Sequence, residues 1–173
     1  MDERPFAGET LTYGFAATPL GLALVAASER GVAAVLLGED RAALRWEAAR
    51  ALAGAVLAEC DTEMQPTLDA VAAMLATPGA PFPLALDLRG SPTDLAVWEA
   101  LRQVPSGETT TYGALARALP VLATAQDVAA ACAANRVAVA VPCHRVVKAD
   151  GSLSGYRWGV QRKRRLINLE GVA

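Results

Sequence analysis

The apolar positions of the chain change their spacing several times, and each change marks an element. Leu11, Tyr13 and Phe15 alternate with Thr10, Thr12 and Gly14, the period-two pattern of a strand with one buried face. Thr18-Pro19-Leu20-Gly21 reads as a turn, after which Leu22 to Ala27 and Val32 to Leu37 predict two more apolar strands around Glu29-Arg30-Gly31. From Asp40 onward the spacing turns helical. Asp40 is a candidate N-cap, and Leu44, Ala48, Leu52 and Val56 recur on one face of a long helix. A second helix is predicted from Pro66 to Ala76, ending at Pro78-Gly79, and Leu84 to Leu88 reads as a short strand leading out. This half is expected to be a small sheet covered by helix, with no evident chemistry.

Arg89-Gly90-Ser91-Pro92 marks the boundary between a domain at 1–89 and one at 90–173. Ser91 as N-cap with Pro92 at the first helical position opens a helix to about Val104. After Pro105-Ser106-Gly107 two short helices follow, near Thr111 to Leu119 and Ala125 to Ala134, whose lengths and connection suggest a helix-turn-helix. Thr124 with Asp127 forms a capping-box variant that puts Gln126 in the exposed first turn of the second helix. Val137 to Val141 predicts an apolar strand or extended segment ending at Pro142. Asp150-Gly151 is a turn, and Gly159 to Leu169 a last helix carrying Arg162-Lys163-Arg164-Arg165. The fold class is therefore α/β in the mixed, α+β sense.

Composition narrows the class. With 53 % hydrophobic and 20 % charged residues among 173, the chain can build one or two cored domains and is too apolar for disorder. No run approaches the roughly 20 apolar residues that span a bilayer. Met1-Asp2-Glu3-Arg4-Pro5 lacks the basic start and apolar run of a secretion signal. A cytoplasmic protein without membrane association is expected. The net charge of −2 hides an asymmetry. Through Leu88 five Arg face five Asp and seven Glu, whereas from Arg89 onward nine Arg and two Lys face three Asp and three Glu. The split fits a second half that meets a polyanion, or simply two differently decorated surfaces.

Candidate chemistry is concentrated in one stretch. Cys60, Cys132 and Cys143 are expected to be free thiols, and with one histidine and no C-x-x-C spacing no metal site or cofactor is expected. Cys143 is followed by His144, the chain's only imidazole. A thiol becomes a strong nucleophile as thiolate, which needs a base or a positive field. On a continuing strand the two side chains would point to opposite faces, so Pro142 must break the strand, or a water must bridge them. Asp150 and Glu170 are the acidic residues after the pair that could orient the ring. On spacing alone a catalytic pair and an inert buried cysteine beside a surface histidine both stand. Cys132, inside an Ala-rich helix, and Cys60, near the end of the first long helix, read as structural.

Pro142-Cys143-His144-Arg145-Val146, preceded by an apolar segment and by Asn135, resembles the signature of the O6-alkylguanine-DNA alkyltransferases. The likeness extends through Val97-Trp98-Glu99-Ala100-Leu101, Gly107-Glu108-Thr109, Tyr112-Gly113-Ala114-Leu115-Ala116, Cys132-Ala133-Ala134-Asn135 and Gly151 to Val160. It is strongest to the C-terminal part of the bacterial adaptive-response (Ada-type) proteins. The resemblance implies a ribonuclease H-like N-terminal domain, then a mainly helical, winged-helix-like domain with a helix-turn-helix. It implies a monomer that binds double-stranded DNA through the minor groove, flips an O6-alkylguanine out of the stack and takes the alkyl group onto Cys143 in a single turnover, with O4-alkylthymine as a possible second substrate. His144 activates the thiol through a water and Glu170 orients the ring. Asn135 holds the turn before the cysteine, and Tyr112 donates to the departing guanine. Tyr156, Arg157, Trp158 and Val146 correspond to the substrate pocket. Gln126, Ala129, Ala130, Ala133 and Arg145 correspond to DNA contacts, with Lys148, Arg157 and the Arg162–Arg165 cluster as further phosphate candidates.

Two positions depart from the family pattern. Gln126 stands where an arginine fills the gap left by the flipped base, and Trp158 where some relatives carry glycine, which predicts a narrow, methyl-favouring pocket. A non-catalytic alkylguanine-binding sensor is the alternative reading; the sensors of that type replace the cysteine, which is retained here. A thiol hydrolase built on Cys143 and His144 has nothing but that pair to support it.

Overall fold

The computed structural model describes residues 4–171. The first residues, Met1-Asp2-Glu3, on which the expectation of no secretion signal rests, lie outside the described residues. The chain divides into two compact units, one holding the residues through Ala76 together with Pro81–Arg89, the other Thr77–Ala80 with the residues from Gly90 onward. Among the described residues no helix is long and apolar enough to cross a membrane.

The first unit is built on a sheet of four strands. β1 (Thr10–Thr18), β2 (Gly21–Ser28) and β3 (Gly31–Gly38) form an antiparallel meander joined by tight turns, with Gly21 and Gly31 at positive φ. α1 (Arg41–Ala51) starts at Asp40, whose carboxylate accepts from the Ala43 amide at 2.8 Å. The helix ends earlier than its apolar spacing predicts. The chain turns at Leu52 and Gly54, and Val56–Glu59 forms β4, parallel to β1 and giving the order β3-β2-β1-β4. Val56 is therefore an exposed edge residue rather than part of a helical stripe. α2 (Asp61–Ala76) begins five residues before the predicted Pro66, so Cys60 sits between β4 and α2, at the start of the second helix rather than near the end of the first.

Runs of consecutive buried residues in β2 and β3, Ala23–Ala26 and Val32–Leu37, show that the sheet is covered on both faces. In β1 the neighbours Gly14 and Phe15 point to opposite sides. A Cβ on Gly14 would meet the Asp61 carboxylate of α2 at 2.7 Å, whereas Phe15 lies under the guanidinium groups of Arg41 and Arg45 of α1. The predicted strand at Leu84–Leu88 reduces to one bridge to Val32, closed by Val32 N–H to the Ala85 carbonyl and Asp87 N–H to the Val32 carbonyl.

The second unit is mainly helical. α3 (Pro92–Arg102) opens with the reciprocal Ser91/Asp94 capping box and buries Val97, Trp98 and Leu101. Thr110–Thr111 (β5) lead into α4 (Tyr112–Ala118), and after residues 119–124 comes α5 (Ala125–Ala134), fixed at its start by the Thr124/Asp127 box. The Trp98 indole donates to the Ala131 carbonyl at 2.8 Å and pins α3 to α5. Cys143–Arg145 is a 3-10 turn, Val146–Val147 (β6) pairs parallel with β5, and α6 (Val160–Leu169) closes the unit. The apolar segment Val137 to Val141 is not a strand. It folds into a tight loop with a single Ala138–Val141 bridge, and Val139 has a φ of 69°. A β-branched residue in the left-handed region costs about 1–3 kcal/mol, so surrounding contacts must hold it there.

Candidate functional site

The loop at 137–141 is closed on itself by Ala140 N–H to the Ala138 carbonyl at 2.8 Å and Val141 N–H to the Val137 carbonyl at 3.1 Å, and is anchored by Asn135. Asn135 ends α5, its backbone N–H still reaching the Cys132 carbonyl. Its side-chain oxygen accepts from the Val137 amide at 2.8 Å. Its amide nitrogen donates to the Val141 carbonyl at 3.0 Å and to the Cys143 sulfur at 3.2 Å. The Asn135 carbonyl accepts from Arg157 at 2.9 Å. One buried amide thus supplements the loop's own backbone bonds and bonds to the sulfur at its far side.

Pro142 is followed by the 3-10 turn, so Cys143 and His144 do not alternate as they would on a strand. Cys143 is buried but borders a cavity of about 690 Å³. Burial pushes its thiol up, while the Asn135 amide and the Lys163 cation pull the other way. His144 points away into the protein. It is fully buried, its Nε2 lies 2.9 Å from the Glu170 carboxylate, and its Nδ1 has no hydrogen-bond partner among the described residues. Burial lowers the imidazole's pKa, against the hydrogen bond and charge of Glu170. With Nε2–H donating to the carboxylate, Nδ1 is left as the proton acceptor. Glu170, at the end of α6, also receives three hydrogen bonds from Arg145. Burial disfavours its charge, but the bonds from His144 and Arg145 outweigh that and hold the carboxyl below its usual value.

Several expected positions fall elsewhere. Arg145 is not turned to a phosphate: its guanidinium is committed to Glu170 and, at 2.6 Å, to the Val104 carbonyl, with the side chain 9 % exposed. A basic residue in a short motif reads as a surface contact, whereas its partner lies 25 residues further on. Val146 is fully buried in β6 and does not line the cavity. Trp158 does not line it either. It is buried behind Tyr156, ring edge against ring face with centroids 5.3 Å apart.

The cavity belongs to the second unit. Gln126, Ala129 and Ala133 of α5 form one side, Tyr112 of α4 another, and Tyr156 and Arg157 a third. Ala130 is exposed on α5 but outside the lining. Cys132 borders the cavity as well, its thiol pushed up to about 12 by burial. Lys148, Arg164 and Arg165 are exposed. The sequence reading missed Ser154, which lines the cavity and bonds to the Tyr112 hydroxyl, and the inward placement of Lys163. Periodicity carried a signal for the latter, because Lys163, Leu166 and Ile167 share one buried stripe of α6. Among the described residues no group of three or more His, Cys, Asp and Glu is placed to hold a metal ion.

Comparisons with known proteins bear on the family and the fold. The family described as 6-O-methylguanine DNA methyltransferase, DNA binding domain, matches residues 92–172. The Escherichia coli K12 bifunctional transcriptional activator/DNA repair enzyme Ada is 46 % identical over 165 residues, covering 94 % of this chain and 47 % of Ada. The chain spans about half the length of most of the curated relatives it matches. A variant of the Mycobacterium tuberculosis O6-methylguanine methyltransferase superposes with a TM-score of 0.68 at 30 % identity, over 92 % of both chains. Mycobacterium tuberculosis OGT in complex with DNA gives a TM-score of 0.72 at 29 % identity, again over 92 % of both. The chain belongs to the O6-methylguanine-DNA methyltransferase family.

Proposed function

We propose that this chain repairs DNA by transferring the alkyl group of an O6-alkylguanine to its own Cys143, where it stays. The carrying observation is a cysteine at the wall of a cavity large enough for a purine, next to a histidine whose ring is held by a buried carboxylate. The thiol proton leaves toward His144 Nδ1 through a bridging water, and Glu170 stabilises the imidazolium. Sulfur then bonds the alkyl carbon as the carbon–O6 bond breaks. The electron pair passes to the base, which takes a proton donated from Tyr112 and leaves as neutral guanine. Because a thioether is not reversed here, each molecule acts once. O4-alkylthymine is the second substrate this chemistry would admit.

The target base must be out of the stack to reach Cys143, at a cost of a few kcal/mol. The exposed side of α5, with Gln126, Ala129, Ala130 and Ala133, has the small side chains that let a helix approach a minor groove closely. We read α4 and α5 as a helix-turn-helix, the β5/β6 pair as part of a winged-helix-like domain, and the β3-β2-β1-β4 order as a ribonuclease H-like sheet. Action as a monomer, bound to double-stranded DNA, is part of the same reading. Incubation with a duplex carrying O6-methylguanine tests it. Mass spectrometry should find a gain of one methylene on the peptide carrying Cys143, and none in Cys143→Ala. Tight binding of the damaged duplex with Cys143 unmodified would instead establish a damage sensor.

A further inference from the structure

Lys163 is the one described lysine withdrawn from solvent, with 0 % exposure, although Arg164 and Arg165 beside it are exposed. Burying an ammonium is costly unless it is bonded. Its Nζ donates to the Ser154 hydroxyl at 2.9 Å, and Ser154 in turn is hydrogen-bonded to the Tyr112 hydroxyl. Tyr112, Ser154 and Cys143 all border the same cavity. The chain of donors has a direction. An ammonium has three protons and no lone pair, so Ser154 Oγ must accept from it. The serine proton then has the Tyr112 oxygen to go to. A tyrosine oxygen that accepts from Ser154 keeps its own proton for a different acceptor.

We propose that Lys163 and Ser154 are positioning residues that fix the polarity of this relay, so that the Tyr112 proton is presented to an acceptor atom of a purine in the cavity. The idea rests on the alkyl-transfer reading above. Without the cation, Tyr112 is free to spend its proton on Ser154, and the base loses its donor. The electrostatics fit this role. Burial lowers the Lys163 pKa, but the thiol groups of Cys143 and Cys132, when ionised, favour the charged ammonium, and that cation in turn favours the Cys143 thiolate. Lys163 therefore serves the departing base and the attacking sulfur at once.

The test is a double-mutant cycle in single-turnover transfer from an O6-methylguanine duplex. Lys163→Met risks the fold, so Ser154→Ala carries the experiment, with thermal melting as the check that each variant is folded. Ser154→Ala takes away the bond that orients the Tyr112 hydroxyl toward the cavity and should slow transfer about tenfold, the rate equivalent of one hydrogen bond, with duplex affinity unchanged. In a Tyr112→Phe background the same substitution should have no further effect. Wild-type rates in Ser154→Ala, or an equal loss with and without the tyrosine hydroxyl, would overturn the proposal. An unmodified Cys143 in the wild-type protein would overturn the alkyl-transfer reading, and this one with it.

Discussion

His144 Nε2 and the Glu170 carboxylate lie 2.9 Å apart with both side chains closed off from solvent. The same carboxylate is the counter-charge of Arg145. Replacing Glu170 by Gln keeps the shape and removes the charge. Single-turnover transfer should fall about a hundredfold, within the usual range for losing general-base assistance. Stability should fall by about 3–5 kcal/mol because Arg145 is left buried and uncompensated. Stopped-reaction kinetics and denaturant titration separate the two effects.

The lowered pKa of His144 sets the sign of a pH dependence. Below about pH 6.5 an unfolded chain protonates this histidine, whereas the folded chain still holds it neutral. The transfer rate should therefore stay level from neutral pH through 6.5 and drop only further down. Stability should decline as pH falls below 6.5, and again once Glu170, held low in the folded state, is protonated in the unfolded chain near pH 4.5. A rate profile whose acid limb is centred above 6.5 would contradict the burial argument.

Asn135→Ala removes the partner of the Val137 amide and the donor to the Cys143 sulfur, while the Val141 carbonyl keeps its bond from the Cys143 amide. At about 1–3 kcal/mol for each orphaned buried group, partly relieved by relaxation, a loss of about 3 kcal/mol is expected. Urea unfolding measures it. Transfer should slow even at temperatures where the variant is fully folded, because the sulfur is no longer held.

Gln126 lies in the first turn of α5 at the cavity, uncharged. Gln126→Arg should accelerate repair of O6-methylguanine in a duplex several-fold and leave reaction with the free alkylated base unchanged, since only the duplex requires a base to be held out. Equal or slower duplex repair would refute this.

Trp158 supports Tyr156 from behind rather than narrowing the cavity itself. Trp158→Gly should cost about 3–5 kcal/mol for the void it leaves, and should let Tyr156 retreat. Inactivation by O6-benzylguanine should become faster relative to methyl transfer.

Legibility in the sequence followed how local the determinants are. The β1–β3 meander and the limits of α5 were readable because glycine turns and the Thr124/Asp127 box act within a few residues. β4 was not, because Val56 continues a helical spacing while its strand identity comes from pairing with Thr10–Tyr13. The loop at 137–141 reads as a strand from its β-branched residues, and the backbone bonds Val141 N–H to Val137 and Ala140 N–H to Ala138, together with the Asn135 amide, make it a turn. Cys143 and His144 stand out by adjacency, with Asp150 and Glu170 both open as the orienting acid; the resemblance chooses Glu170 and gives the three their roles. That Arg145 shares Glu170, and that Lys163 is buried, depended on residues far along the chain.

Glu170 is held by the final turn of the last helix, and helix ends are where regular structure opens first. The proposed acceptor thiol thus depends on hydrogen bonds made at a helix end, with the Arg145 guanidinium as a splint between that turn and the Val104 carbonyl. Moderate heating should silence the chemistry reversibly before the core melts, so that thermal inactivation and thermal unfolding part company in this protein.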